Sequence, residues 1–154
     1  MSIVIAIVAI ILVLDQVTKH LVVYHMDLGQ SIEVIPNLLY LTSHRNAGAA
    51  WGILQGQMLF FYVVTVIVVA VLVIWMTRLD KKKERLLLVA LSFLLGGALG
   101  NFIDRIFFQE VVDFVDAFIF GYNFPIFNVA DMALTFGVIL MGIDALLEPK
   151  RRNK

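Results

Sequence analysis

Apolar residues along this chain gather into four long runs, near positions 3–24, 58–76, 86–108 and 127–147, with more polar connections between them. Each run approaches the ~20 residues that a helix needs to cross the hydrocarbon of a bilayer. The pattern predicts an all-α integral membrane protein with four transmembrane helices, in a single membrane-embedded domain over 1–154. The connection at 25–57 is punctuated by Gly29, Pro36, Gly48, Gly52 and Gly56, and its stretch at 38–43 reads as a strand. A small subdomain with short β structure, lying on the membrane surface, is expected there, with 109–126 as a second connection at the same end of the bundle. The run at 58–76 carries no charge and reads as a scaffold helix with no part in chemistry.

Composition agrees with the pattern. Hydrophobic residues make up 61% of the chain and the mean hydropathy is +0.93, well above a soluble domain, in which about half the residues are apolar. The absence of cysteine excludes disulfides, thiolate metal sites and a cysteine nucleophile. No basic residue precedes the first run and no small-residue cleavage pattern follows it, so it reads as a retained anchor.

Net charge is zero, but the cations are unevenly placed. Of the twelve Lys and Arg, five (Arg78, Lys81, Lys82, Lys83, Arg85) lie between the second and third runs and four (Lys150, Arg151, Arg152, Lys154) in the tail. The preference of short cytoplasmic loops for Lys and Arg makes both places cytoplasmic, and an even number of spans puts the N-terminus there too. The connections at 25–57 and 109–126 are then extracytoplasmic. This position between two spans also makes the RLDKKKER loop a topology signal, not a nucleic-acid patch, so the expected surroundings are membrane lipids and no nucleic acid. Three cations, Lys19, Arg45 and Arg105, stay in the outer half, where topology does not ask for them.

Candidate chemistry collects in that same half. Asp113 and Asp131 stand at either end of an aromatic-rich segment between two apolar runs, and an acidic side chain at such depth costs roughly 2.5–3.5 kcal/mol to insert. Two carboxylates brought together share one proton, which lets one act as base and the other as acid on a water molecule. Asp15 and Lys19 lie four apart on one helical face, either as a functional pair or as a neutral boundary pair. SHRNAGAAWGIL sets Arg45 and Asn46 beside small residues, although a Gly-rich turn explains it as well. GGALGNFIDR puts Gly96, Gly97 and Gly100 near Asn101, Asp104 and Arg105, which are spaced i, i+3, i+4. A packing motif with an Asp104–Arg105 pair accounts for the glycines and leaves Asn101 unexplained. Asn128 and Asp131 face the same way at a helix start, where Asn128 is also a natural cap. Glu110, Asp116 and Asp144 read as interfacial or boundary residues.

DQVTK at 15–19, NAGAAWGIL at 46–54, GGALGNFIDR at 96–105, VVDFVD at 111–116 and FNVAD at 127–131 together resemble the lipoprotein signal peptidase family, signal peptidase II. The resemblance implies a four-helix aspartic endopeptidase of the bacterial cytoplasmic membrane, with both termini cytoplasmic and its site toward the extracytoplasmic face. Its substrates are prolipoproteins, cut on the N-terminal side of a diacylglyceryl-modified cysteine. It further implies Asp113 and Asp131 as the catalytic pair, with Asp15, Lys19, Asn46, Gly97, Asn101, Arg105, Asn128 and Ala130 as supporting positions, and no cofactor or metal. Other peptidase chemistries fit poorly: there is no HExxH helix, and neither the histidines at 20, 25 and 44 nor the serines at 2, 31, 43 and 92 form an evident pair. The competing class is a small proton-coupled transporter, which calls for ionisable groups near mid-membrane. A scaffold subunit explains the glycines and leaves the polar side chains unused.

Overall fold

The four apolar runs fold as helices α1 (Ser2–His25), α2 (Met58–Arg78), α3 (Arg85–Phe108) and α4 (Val129–Arg152), each with a stretch long and apolar enough to cross a membrane. The computed structural model describes residues 2–119 and 121–152; Met1, Phe120, Asn153 and the tail cation Lys154 lie outside the described residues. Helix α3 is the central element and packs against α1, α2 and α4. Its small residues explain how. A Cβ on Gly97 would collide with the carbonyl of Ala130 in α4, and one on Gly100 would lie 2.7 Å from Asp15 Oδ2 in α1 and 3.0 Å from the Ala130 Cβ. Glycine therefore fixes the interhelical spacing on two sides at once. Away from the polar end, Val4, Leu72, Met76, Leu88, Leu91 and Leu95 form the main apolar cluster.

The expected strand at 38–43 is present as β2 (Leu39–Asn46), within a larger sheet than the sequence indicated. Strands β1 (Ser31–Ile35), β2, β3 (Val111–Ile119) and β4 (Tyr122–Asn123) form one antiparallel sheet in that order. Valines, phenylalanines and isoleucine give β3 its strand propensity. Gln109 ends α3 in the left-handed region (φ 58°), returning its N–H to the Arg105 carbonyl, and so turns the chain directly into β3. Pairing of β2 with β3 sets His44 opposite Asp113 and Asn46 opposite Val111. The two connections thus become one sheet at one end of the bundle, seated on α1 through Val22, Val112 and Phe114.

Candidate active site

Helix α4 opens with a reciprocal cap. Asn128 Oδ1 accepts the Asp131 backbone N–H at 3.0 Å, and Asp131 Oδ2 accepts the Asn128 backbone N–H at 3.1 Å. The arrangement satisfies one of the helix's orphan donors along with the cap's own N–H. Another orphan, the Ala130 N–H, donates to Asp15 Oδ1 at 2.9 Å, which pins the start of α4 to α1. Capping leaves Asp131 Oδ1 directed elsewhere, to Asn101 Nδ2 at 2.7 Å on α3. The structural and functional readings of Asn128 are therefore one arrangement: the cap aims the carboxylate.

Asp113 approaches from β3 and is 2% exposed. Its Oδ1 accepts Asn128 Nδ2 at 2.7 Å and its Oδ2 accepts Asn46 Nδ2 at 3.1 Å. Asn128 thus donates to both carboxylates, through its side chain to Asp113 and its main chain to Asp131. Burial pushes the Asp113 carboxyl from the usual 3.8 up to about 7, with the charge of Asp131 acting in the same direction and the amides of Asn46 and Asn128 opposing it. A carboxyl that keeps its proton near neutral pH beside a second carboxylate is suited to act as an acid.

Behind this pair lies a buried ionic cluster. The Lys19 ammonium has three donors and meets three acceptors, Asp15 Oδ2 at 2.8 Å, Asp104 Oδ2 at 2.9 Å and Asn101 Oδ1 at 3.0 Å. Asp104 also accepts Gln16 Nε2 at 2.9 Å and the Val112 N–H at 3.1 Å, which ties α1, α3 and β3 together. Asn101 carries the cluster to the site, since its oxygen faces Lys19 and Asn128 while its nitrogen holds Asp131. Burying such charges is tolerable because they are paired and hydrogen-bonded throughout.

Arg105 departs from the Asp104–Arg105 pairing that the sequence suggested. Its guanidinium donates to the Gly48 carbonyl at 3.2 Å and the Asn101 carbonyl at 3.4 Å, lies 4.6 Å from the centre of the Phe61 ring, and keeps a buried Nε without a hydrogen-bond partner among the described residues. Asp104 instead takes Lys19. Intervening helix geometry is the reason: consecutive residues point about 100° apart, so Asp104 faces α1 while Arg105 faces α2. Asp113, Asp131, Asn46, Asn101 and Arg105 line a cavity of about 870 Å³.

Among the other expected positions, Gly97 and Ala130 act through close packing, Asp15 and Lys19 through the ionic cluster, and none of the four touches the cavity. Asp116 is buried on β3, with Oδ2 accepting the Thr42 hydroxyl at 2.9 Å and Oδ1 without a hydrogen-bond partner among the described residues. Asp144 is buried too, whereas Glu110 stays near the surface beside Arg45 at 3.7 Å. Helix α2 is more than scaffold, because Val64, Thr65 and Val68 form one cavity wall and Tyr62 Oη donates to the Arg105 carbonyl at 2.8 Å. Gln16 was legible as a polar residue beside Asp15 in an apolar helix; the roles of Phe61 and Tyr62 had no comparable signal.

A family model described as signal peptidase (SPase) II matches residues 7–147. A lipoprotein signal peptidase from Anoxybacillus flavithermus is 59% identical over 144 residues, covering 94% of this chain and 85% of that protein. Two solved structures, each described as a bacterial membrane enzyme determined by the in meso method, are also similar. The one at 2.3 Å is 50% identical with a TM-score of 0.91, covering 100% of this chain and 93% of the other. The one at 1.9 Å is 52% identical with a TM-score of 0.86, covering 96% and 94%.

Proposed function

The chain belongs to the signal peptidase II family, and from that premise we propose that it removes signal peptides from prolipoproteins, cutting before a cysteine that already carries diacylglycerol. Asp113 and Asp131 are the catalytic pair in this reading. The observation that carries it is the double engagement of Asn128, which donates to Asp113 at 2.7 Å and to Asp131 at 3.1 Å where both carboxylates line the same cavity.

Asp113 starts protonated and Asp131 ionised. Asp131 takes a proton from a water molecule held between them as its oxygen attacks the scissile carbonyl carbon, and Asp113 gives its proton to the carbonyl oxygen. Collapse of the tetrahedral intermediate returns one hydroxyl proton to Asp113. The proton on Asp131 passes to the leaving nitrogen, and the C–N bond breaks. Asn46, Asn101 and Asn128 hold the carboxylates in place, while Arg105 presents positive charge at the cavity wall for the developing oxyanion.

The chain is one membrane-embedded domain, with both termini cytoplasmic and the sheet and carboxylates extracytoplasmic. Support comes from the cations, since Arg78, Lys81, Lys82, Lys83 and Arg85 all lie at the end of the bundle opposite the sheet. The deciding experiment incubates folded Asp113→Asn and Asp131→Asn with a diacylglyceryl prolipoprotein in detergent. Each variant is expected to lose cleavage almost completely, and the double variant to be little worse than either single one, because the pair acts as a unit. Wild-type turnover should follow a bell-shaped pH profile whose two limbs belong to the pair. Substantial cleavage by either folded variant would return these residues to a structural role.

A further inference from the structure

The cavity continues past the carboxylates between α2 and α4, where Val64, Val68, Leu134 and Phe136 make its walls apolar and the hydroxyls of Thr65 and Thr135 interrupt them. These two hydroxyls are in different states. Thr135 donates to the Asp131 carbonyl of its own helix at 2.9 Å. Thr18, Thr77 and Ser92 likewise bond carbonyls three or four residues back, at 2.7 Å in each case. A hydroxyl in a membrane helix is normally satisfied this way, because hydrocarbon offers it no other acceptor. The Thr65 hydroxyl makes no hydrogen bond among the described residues, although the Phe61 carbonyl stands one turn back. It is also the only hydroxyl in α2 between Tyr62 and Thr77.

Its depth follows from neighbouring contacts. Tyr62 bonds the Arg105 carbonyl at 2.8 Å and Phe61 lies under the Arg105 guanidinium, so this turn of α2 is level with Arg105. Thr65 is three residues further in, about 5 Å. Asn101, which holds Asp131, is one turn further in along α3. Thr65 therefore lies near the depth of the carboxylates, on the facing wall.

We propose that the Thr65 hydroxyl donates a hydrogen bond to an ester carbonyl of the diacylglyceryl group on the substrate cysteine, and so selects for an ester-linked lipid. This assignment rests on the substrate reading above. A diacylglyceryl thioether offers carbonyl acceptors and no donor, and its glycerol is only a few bonds from the scissile peptide. With the peptide at Asp113 and Asp131, the ester carbonyls enter the apolar part of the cavity, where an acceptor without a donor is costly. Main-chain carbonyls of the signal peptide have the same acceptor chemistry, and the experiment separates the two sources.

The test uses the full chain in detergent and two synthetic prolipoprotein peptides, one with an S-diacylglyceryl cysteine and one with its dialkyl ether analogue. Wild type is expected to prefer the diester by about 3- to 10-fold in kcat/KM, the range for one neutral hydrogen bond. Thr65→Val keeps the shape without the donor and should bring the diester-to-ether ratio to about one, and Thr65→Ser should restore the preference. An equal loss on both substrates in folded Thr65→Val would move the acceptor to the peptide main chain and overturn the assignment. A wild type that cleaves both equally overturns it as well, with the peptidase reading intact. Cleavage of neither peptide by wild type overturns the substrate reading itself, and the role of Thr65 with it.

Discussion

Asp113 stores a pH dependence that can be measured apart from catalysis. Its carboxyl titrates near 7 in the folded chain against the usual 3.8, so between those values the folded state binds more protons than the unfolded state. Stability from this group is therefore full below about pH 4 and is lost as pH rises through 7. In detergent, the thermal midpoint of wild type relative to Asp113→Asn should fall as pH goes from 4.5 to 8, by an amount worth at most about 4 kcal/mol. A difference curve that is flat, or that rises, would contradict the burial argument. Lys19 gives a second prediction at this scale. Three donors meeting three acceptors leave no substitute, so Lys19→Met strands two buried carboxylates and should lower stability by about 3–5 kcal/mol, read as lost folded yield. Lys19→Arg should not rescue it, because a planar fork cannot reproduce the convergence of an ammonium on those three oxygens.

The start of α4 combines two duties that substitution can separate. Asn128→Ser keeps a good capping oxygen but removes the amide that reaches Asp113. Most stability should remain while prolipoprotein cleavage falls steeply; equal retention of both would mean that the amide does not matter. Asn128→Ala should lose the cap as well, at a further cost of about 1 kcal/mol in chemical denaturation. On the facing helix, Gly97→Ala drives a methyl into the Ala130 carbonyl, which moves the segment carrying both Asn128 and Asp131. It should lower stability by about 1–3 kcal/mol and activity with it.

Across the whole molecule, the Lys19 ionic cluster and the two candidate carboxylates lie at one end and the loop cations at the other. A transporter needs ionisable groups through the middle of the bilayer, whereas here Lys19, Asp104, Asp113 and Asp131 cluster beneath the sheet. A reporter fused after Lys82 should be cytoplasmic, and one inserted near Gln30 should be outside. An external signal from the 79–84 loop would put the carboxylates on the cytoplasmic face and contradict the proposed orientation.

The sequence by itself determined what depends on neighbours along the chain. Run lengths marked four spans, the i, i+4 spacing paired Asp15 with Lys19, and the Asn128 and Asp131 spacing marked a helix start. Their placement at either end of an aromatic-rich segment singled out Asp113 and Asp131, and family resemblance implied a catalytic role for the pair, but neither said how the two are held. Tertiary structure decided the rest. Asp113 owes its position to a strand that pairs with β2, 67 residues before it at Asn46, and local propensity does not encode a partner at that distance. Asp104 turned to Lys19 instead of Arg105, and the charge-free run at 58–76 became a wall of the cavity, because the direction of a side chain around a helix acquires meaning only once other helices surround it.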